Sequence, residues 1–208
     1  MFAALGRDRS AAIEVARSIG GLALVAVDDQ PTDRPFEALV IGAGQSDVVQ
    51  VADIGLYRVT VRPMRHQRRS WPPATATPGV TAVFPMVRRP DLTHAQADAH
   101  WRDIHAPLAL RHHPGMWHYV QVSVDEVVTG PAYDGIALCA FASEQERRER
   151  FFGGPEDRAV IGADVATFAD VAASPRHVRM TEWRFGAEEP DGRGAPPSSS
   201  RDPRPATT

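Results

Sequence analysis

The segment HAQADAHWRDIHAPLALRHHPGMWHYVQ, from His94 to Gln121, holds six of the eight histidines of this 208-residue chain and two of its four tryptophans. Imidazole titrates nearest neutrality, so acid–base catalysis or metal binding would be sought here first. Spacing separates the two. On a helix capped at Thr93, residues Trp101, Ile104, His105 and Leu108 recur at intervals of three and four and share the face that packs on a sheet. His105 is thus expected to point inward, either as a base and acid in a mostly apolar cleft or as a satisfied core histidine. Pro107 has no N–H for the Asp103 carbonyl, so a kink or helix end is expected close to His105, opening space beside the ring. Zinc on a helix needs histidines at i and i+4. His100 and His105 are five apart, which on an ideal helix turns their rings about 140° from each other. No metal site is expected, and His100 reads as a residue at the boundary of any pocket.

In the following strand, a period of two puts Met116, His118, Val120, Val122 and Val124 on one face and Trp117, Tyr119, Gln121 and Ser123 on the other. The pattern leaves open which face meets the helix. A phenol beside an imidazole can hold a carbonyl or enolate while the base removes a proton. Tyr119 is therefore expected to assist His105, the alternative being a tyrosine that fills a half-polar interior. Trp101, Trp117, His100 and His118 are the expected substrate-binding residues. His112 and His113, beside Pro114-Gly115, suit the C-terminal end of the helix. Asp134 suits a turn. IGAGQSD, from Ile41 to Asp47, falls short of a dinucleotide fingerprint, and no phosphate loop, nucleophile elbow or cysteine pair appears.

The elements that must position these residues follow from local patterns. In the second half, TAVFPMVRR reads as a strand, the histidine segment as a helix, GMWHYVQVSV and YDGIALCAFA as strands separated by Gly130-Pro131, EQERRERFF and EDRAVIGADVATFADVA as helices, and HVRMTEWRF as a strand. In the first half, MFAAL, LALVAVDD, FEALVIGA and LYRVTVRPM read as strands. DRSAAIEVARSIG, capped near Asp8 or Ser10, and SDVVQVADI read as helices. Each half has the order β-α-β-β-α-β, the split βαβ arrangement whose sheet carries helices on one face only. Two such sheets can cover each other's bare faces. The expected fold is α+β, with tandem ferredoxin-like units forming an intrachain pseudo-dimeric α+β barrel. The expected divisions are 1–64, a Pro-rich linker at 65–79, 80–186, and a disordered tail at 187–208.

Hydrophobic residues make up 43% of the chain and charged residues 24%, with a formal net charge of −3. No apolar run reaches the roughly 20 residues of a membrane span, and the balance of charge gives no general attraction to nucleic acid. The cluster RPMRHQRRSW, from Arg62 to Trp71, reads as a solvated linker. One cysteine, Cys139, closes no internal disulfide, and the start of the chain lacks a secretory pattern, so the cytoplasm is the expected location.

Several residues, in order along about 85–172, resemble the EthD family of the dimeric α+β barrel superfamily. They are Arg89-Pro90 with Leu92 and Thr93, His100-Trp101, His105-Ala106-Pro107-Leu108, Tyr119-Val120-Gln121, Tyr133-Asp134-Gly135, and Asp164 with Phe168. The resemblance implies a ferredoxin-like unit and places the family's shared tryptophan and histidine at Trp101 and His105. The superfamily's activities are varied, so fold is implied more narrowly than function. The resulting expectation is a cofactor-independent enzyme acting by proton transfer through His105 on a small apolar carbonyl or phenolic substrate, leading to dehydration, cyclisation or oxygenation. The alternatives are a non-catalytic metabolite-binding or accessory protein, and a haem-binding barrel with His105 or His177 as axial ligand. A homodimer in addition to the intrachain pairing is left open.

Overall fold

The computed structural model describes residues 1–66 and 70–186; the expected tail at 187–208 lies outside them. The first half runs β1 (Phe2–Gly6), α1 (Arg9–Ile19), β2 (Leu22–Ala26), β3 (Ala38–Gly42), α2 (Gln45–Val48, continued by a 3₁₀ turn Val49–Val51) and β4 (Gly55–Arg65). The second runs β5 (Val80–Met86), α3 (His94–His100), a π-helical turn (Trp101–His105), α4 (Ala106–His112), β6 (Met116–Thr129), β7 (Gly135–Phe141), α5 (Glu144–Arg150), α6 (Pro155–Phe168) and β8 (Val178–Arg184). Among the described residues no helix is long and apolar enough to cross a membrane.

All strands pair antiparallel into one closed barrel, β1-β3-β2-β8-β5-β7-β6-β4. Within it each half keeps the same strand order, β4-β1-β3-β2 and β8-β5-β7-β6. The halves meet at two seams, Leu22–Ala26 against Met180–Arg184 and Leu56–Arg65 against Tyr119–Thr129. The bare faces are buried by closure rather than by added helices. Leu5, Leu24, Leu39, Val59, Val120, Val122, Leu138 and Met180 fill the interior, each worth roughly 1.5–3 kcal/mol when fully buried.

The helices lie outside the barrel. Helix α1 is capped by Asp8, whose side chain accepts from the Ala11 N–H, and ends at Gly20 in the left-handed region at φ 64°, where a side chain would be strained. Helix α3 is capped by Thr93 with Gln96 in a capping box. Two expectations are corrected. Strand β4 continues through the basic cluster to Arg65, where Arg62 pairs with Asp98 on α3 and Arg65 donates to the carbonyls of Met116 and Leu110, so these arginines are structural rather than solvated. The alternation along β6 is interrupted by a bulge between Met116 and His118, which puts Met116 in the same outer cluster as Tyr119.

Candidate active site

Pro107 shapes the site. Lacking an N–H, it cannot bond back to Asp103, and the chain answers with a π turn just before it, in which the Ala106 N–H reaches the Trp101 carbonyl five residues back. In such a turn residues five apart come onto one side. This corrects the ideal-helix reading of His100 and His105: both rings meet a single carboxylate, Asp164 of α6. His105 Nδ1 lies 2.7 Å from Asp164 Oδ2, and His100 Nε2 lies 2.8 Å from Asp164 Oδ1. A carboxylate accepts only, so each ring presents an N–H to it.

The cluster is held from several sides. The Thr167 hydroxyl donates to the Asp164 carbonyl at 2.6 Å, leaving its oxygen to face His100 Nε2 at 3.2 Å. Phe168 stacks on His100 with centroids 5.1 Å apart and packs against His105 at 5.2 Å. His105 is 8% exposed. Burial holds its pKa below the ordinary imidazole value; Asp164 pulls it back up, and neighbouring His100 depresses it further. With Nδ1–H committed to Asp164, Nε2 carries the lone pair, and it makes no hydrogen bond among the described residues. The ring is thereby set as a neutral base.

The layer beneath the helix is polar. Trp101 Nε1 donates to the Tyr119 hydroxyl at 3.1 Å, and Gln121 Nε2 donates to that hydroxyl at 3.1 Å and to the Trp101 carbonyl at 2.8 Å. Tyr119 and Gln121 are fully buried, and burial pushes the Tyr119 phenol well above its ordinary pKa. Beside them Asp98 takes the Arg62 guanidinium in a two-pronged ion pair and accepts from the Ser123 hydroxyl at 2.6 Å. The indole of Trp101 lies against β7 at Gly135, where an added Cβ would come within 2.5 Å of its ring, so this close approach requires glycine.

Of the residues expected at the site, Trp101, His100, His105 and Tyr119 fall in this region. Trp117 and His118 do not join them. Trp117 stacks on Trp71 at 5.9 Å. His118 packs beside His66, and burial takes its pKa down to about 4 in the field of Glu182, Arg184 and His66. The bulge at the start of β6 turns Trp117 away from the helix layer, whereas His118 keeps its place on the face of Val120 and Val122, opposite Tyr119. His113 is buried, bonded through Nδ1 to the Phe151 carbonyl, and His112 meets Asp157; both tie the end of α4 to neighbouring elements rather than serving as simple caps. Asp134 accepts from the Arg88 N–H and guanidinium at 2.9 and 2.7 Å, with His94 at 3.3 Å. Asp164 was not expected in a chemical role. It lies 59 residues from His105, and the signal that picks it out is its place among the family-like residues.

A cleft of about 110 Å³ lies elsewhere, between the β2–β3 connection and the start of β8, lined by Arg34, Arg176, His177 and Arg179 among others. Among the described residues no group of three or more His, Cys, Asp or Glu is arranged to hold a metal ion.

The EthD domain model matches residues 89–172, which contain the π turn, both histidines and Asp164. A search of curated proteins finds no significant match. A solved anthrone oxidase-like protein superposes with a TM-score of 0.52 at 13% identity, over 89% of this chain and 92% of its own, a likeness of fold. Another solved protein, from Lactobacillus acidophilus NCFM and provisionally described as a monooxygenase, gives 0.45 at 13% identity over 90% of this chain and 96% of its own. The second half of this single-chain closed barrel is thus similar to the EthD domain over residues 89–172.

Proposed function

We propose that this chain is an enzyme that moves a proton on a small, largely apolar carbonyl or phenolic compound, with His105 as base and then acid. The observation that carries the reading is the 2.7 Å contact between His105 Nδ1 and Asp164 Oδ2. It selects the tautomer with a free lone pair on Nε2, while burial disfavours the protonated ring. Deprotonation of a carbon conjugated to a carbonyl gives an enolate, and deprotonation of a phenol gives a phenolate; loss of hydroxide from a β-hydroxy carbonyl, ring closure or reaction with dioxygen can follow. The name of the anthrone oxidase-like neighbour favours the last. An anthrone methylene, once deprotonated, becomes a quinone carbonyl as one atom of dioxygen enters at that carbon and the other leaves as water with the two methylene hydrogens. His100 and Trp101 flank the base. Tyr119, whose hydroxyl already accepts two hydrogen bonds, contributes by holding Trp101.

The test is turnover of an anthrone by the purified protein and by His105→Ala. Loss of about 10²–10⁴-fold is expected, with the thermal midpoint nearly unchanged. An inactive natural protein whose His105→Ala variant loses several kcal/mol of stability identifies a core histidine instead.

One observation favours a second reading, a binding protein without chemistry: the described cleft is lined by Arg34, Arg176 and His177 and not by His105. That reading predicts a ligand-dependent rise in the thermal midpoint without turnover. The Asp164–His105 pair would also orient an axial haem ligand, in which case added haemin shows a Soret shift that His105→Ala lacks.

A further inference from the structure

We propose that Gln121 is the positioning residue of the His100–Asp164–His105 cluster, holding from the barrel wall the π turn that brings the two rings onto one carboxylate. The proposal rests on the reading of His105 as a base for its catalytic consequence, and on geometry alone for the rest.

The Trp101 carbonyl is the hinge atom of the turn. It accepts the Ala106 N–H, which defines the π register, and at 2.8 Å it also accepts Gln121 Nε2. A carbonyl oxygen accepts only, so the amide of Gln121 must present its nitrogen and cannot be turned over without setting oxygen against oxygen. The same nitrogen reaches the Tyr119 hydroxyl at 3.1 Å, which receives the Trp101 indole N–H at 3.1 Å. Trp101 is therefore gripped twice, at its backbone through Gln121 and at its ring through Tyr119. Both grips come from β6, a strand built into the closed barrel. With Trp101 fixed, the extra residue of the π turn must be accommodated between Trp101 and Pro107, the interval that contains His105. Helical register thus becomes a property of the sheet, and without the grip an α register would turn His100 and His105 about 140° apart.

The burial of Gln121 agrees with such a role. It is 0% exposed, and a buried amide costs free energy unless its hydrogen bonds return it. Among the described residues no buried polar or charged side chain falls in the first half, whose equivalent outer layer is held by an apolar cluster, so the fold itself has no need of an amide here.

The test is Gln121→Met, which keeps length and volume and removes both donors, read by the imidazole N–H resonances in proton and nitrogen NMR. The carboxylate-bonded N–H signals of His105 and His100 are expected to disappear or exchange rapidly, while the His113 N–H bonded to the Phe151 carbonyl persists as an internal control. Turnover, where present, falls at least tenfold in kcat with little change in KM. Unchanged His105 and His100 signals overturn the proposal. Should Gln121→Met unfold the chain, Gln121→Glu makes the same measurement, since an ionised carboxylate has no N–H for the Trp101 carbonyl and faces Arg62 directly across the β4–β6 pair. The readout is a resonance, so an inactive natural protein sinks the enzymatic reading without touching this one.

Discussion

Helix α1 and the α3–α4 helix hold equivalent places, each following the first strand of its half and packing on the outside of the same barrel. Beneath α1 lie Ala4, Ala23, Ala38, Val40 and Leu56, meeting Ala12, Val15 and Ala16 of the helix. Beneath α3–α4 lie Tyr119, Gln121 and Ser123, meeting Trp101 and Asp98 through hydrogen bonds. The first half shows that apolar packing suffices for this scaffold. The polar bed, the π turn and the two histidines on Asp164 are then additions that architecture does not require, and each carries a desolvation cost that apolar packing avoids. On the proposed reading, that difference is where the chemistry lies.

The comparison can be broken most decisively at Asp164. Asp164→Asn offers one acceptor and two donors where both rings present N–H groups, so at least one imidazole must change tautomer or leave. Turnover is expected to fall about 10²-fold or more, measured by steady-state kinetics, whereas Val15→Ala on α1 leaves it intact. An equal loss from both would erase the distinction between the halves. Next comes Leu24→Ala in the barrel interior. It should cost about 2–5 kcal/mol and lower a single unfolding transition in urea, because β2 is sewn to β8 of the other half; two separate transitions would show that the halves fold as independent units.

Acid sensitivity should belong to the second half. Burial depresses the His113 pKa from 6.5 to about 4. The folded protein then binds fewer protons than the unfolded chain, so stability is full above pH 6.5 and is lost as pH falls from 6.5 through 4, by on the order of 3 kcal/mol. His105, also lowered by burial, adds in the same direction. His113→Gln should flatten the stability profile in that window, followed by thermal melts at a series of pH values. The smallest effects should be alike in the two halves: Asp8→Ala and Thr93→Ala each remove one side-chain cap and should cost about 1 kcal/mol, read from denaturation midpoints.

Much of this architecture is legible in local patterns. Strand alternation, the cap at Thr93 and the Gly130-Pro131 turn lead to the repeated β-α-β-β-α-β order, because such signals are written within a few residues of each other. What escaped depends on departures from ideal periods. The bulge at Met116–His118 sends Trp117 away from the helix layer, and the π turn brings His100 back beside His105. Pro107 announces a disturbance but not its form, since a kink, a break and a π turn all relieve the missing N–H. Asp164 is beyond periodicity altogether: its meeting with His105 is set by the packing of α6 on α4 and the π turn, and only its place in a family-like pattern singles it out.

The two seams also determine how this molecule meets dilution. In a barrel assembled from two separate subunits, the closed state is lost when concentration drops below the dissociation constant. Here the polypeptide leaves β4 at Arg65 and enters β5 at Val80, so the second sheet is always within a tether's length of the first. Closure is intramolecular, and the site beneath α3–α4 exists once per chain, at nanomolar as at millimolar protein.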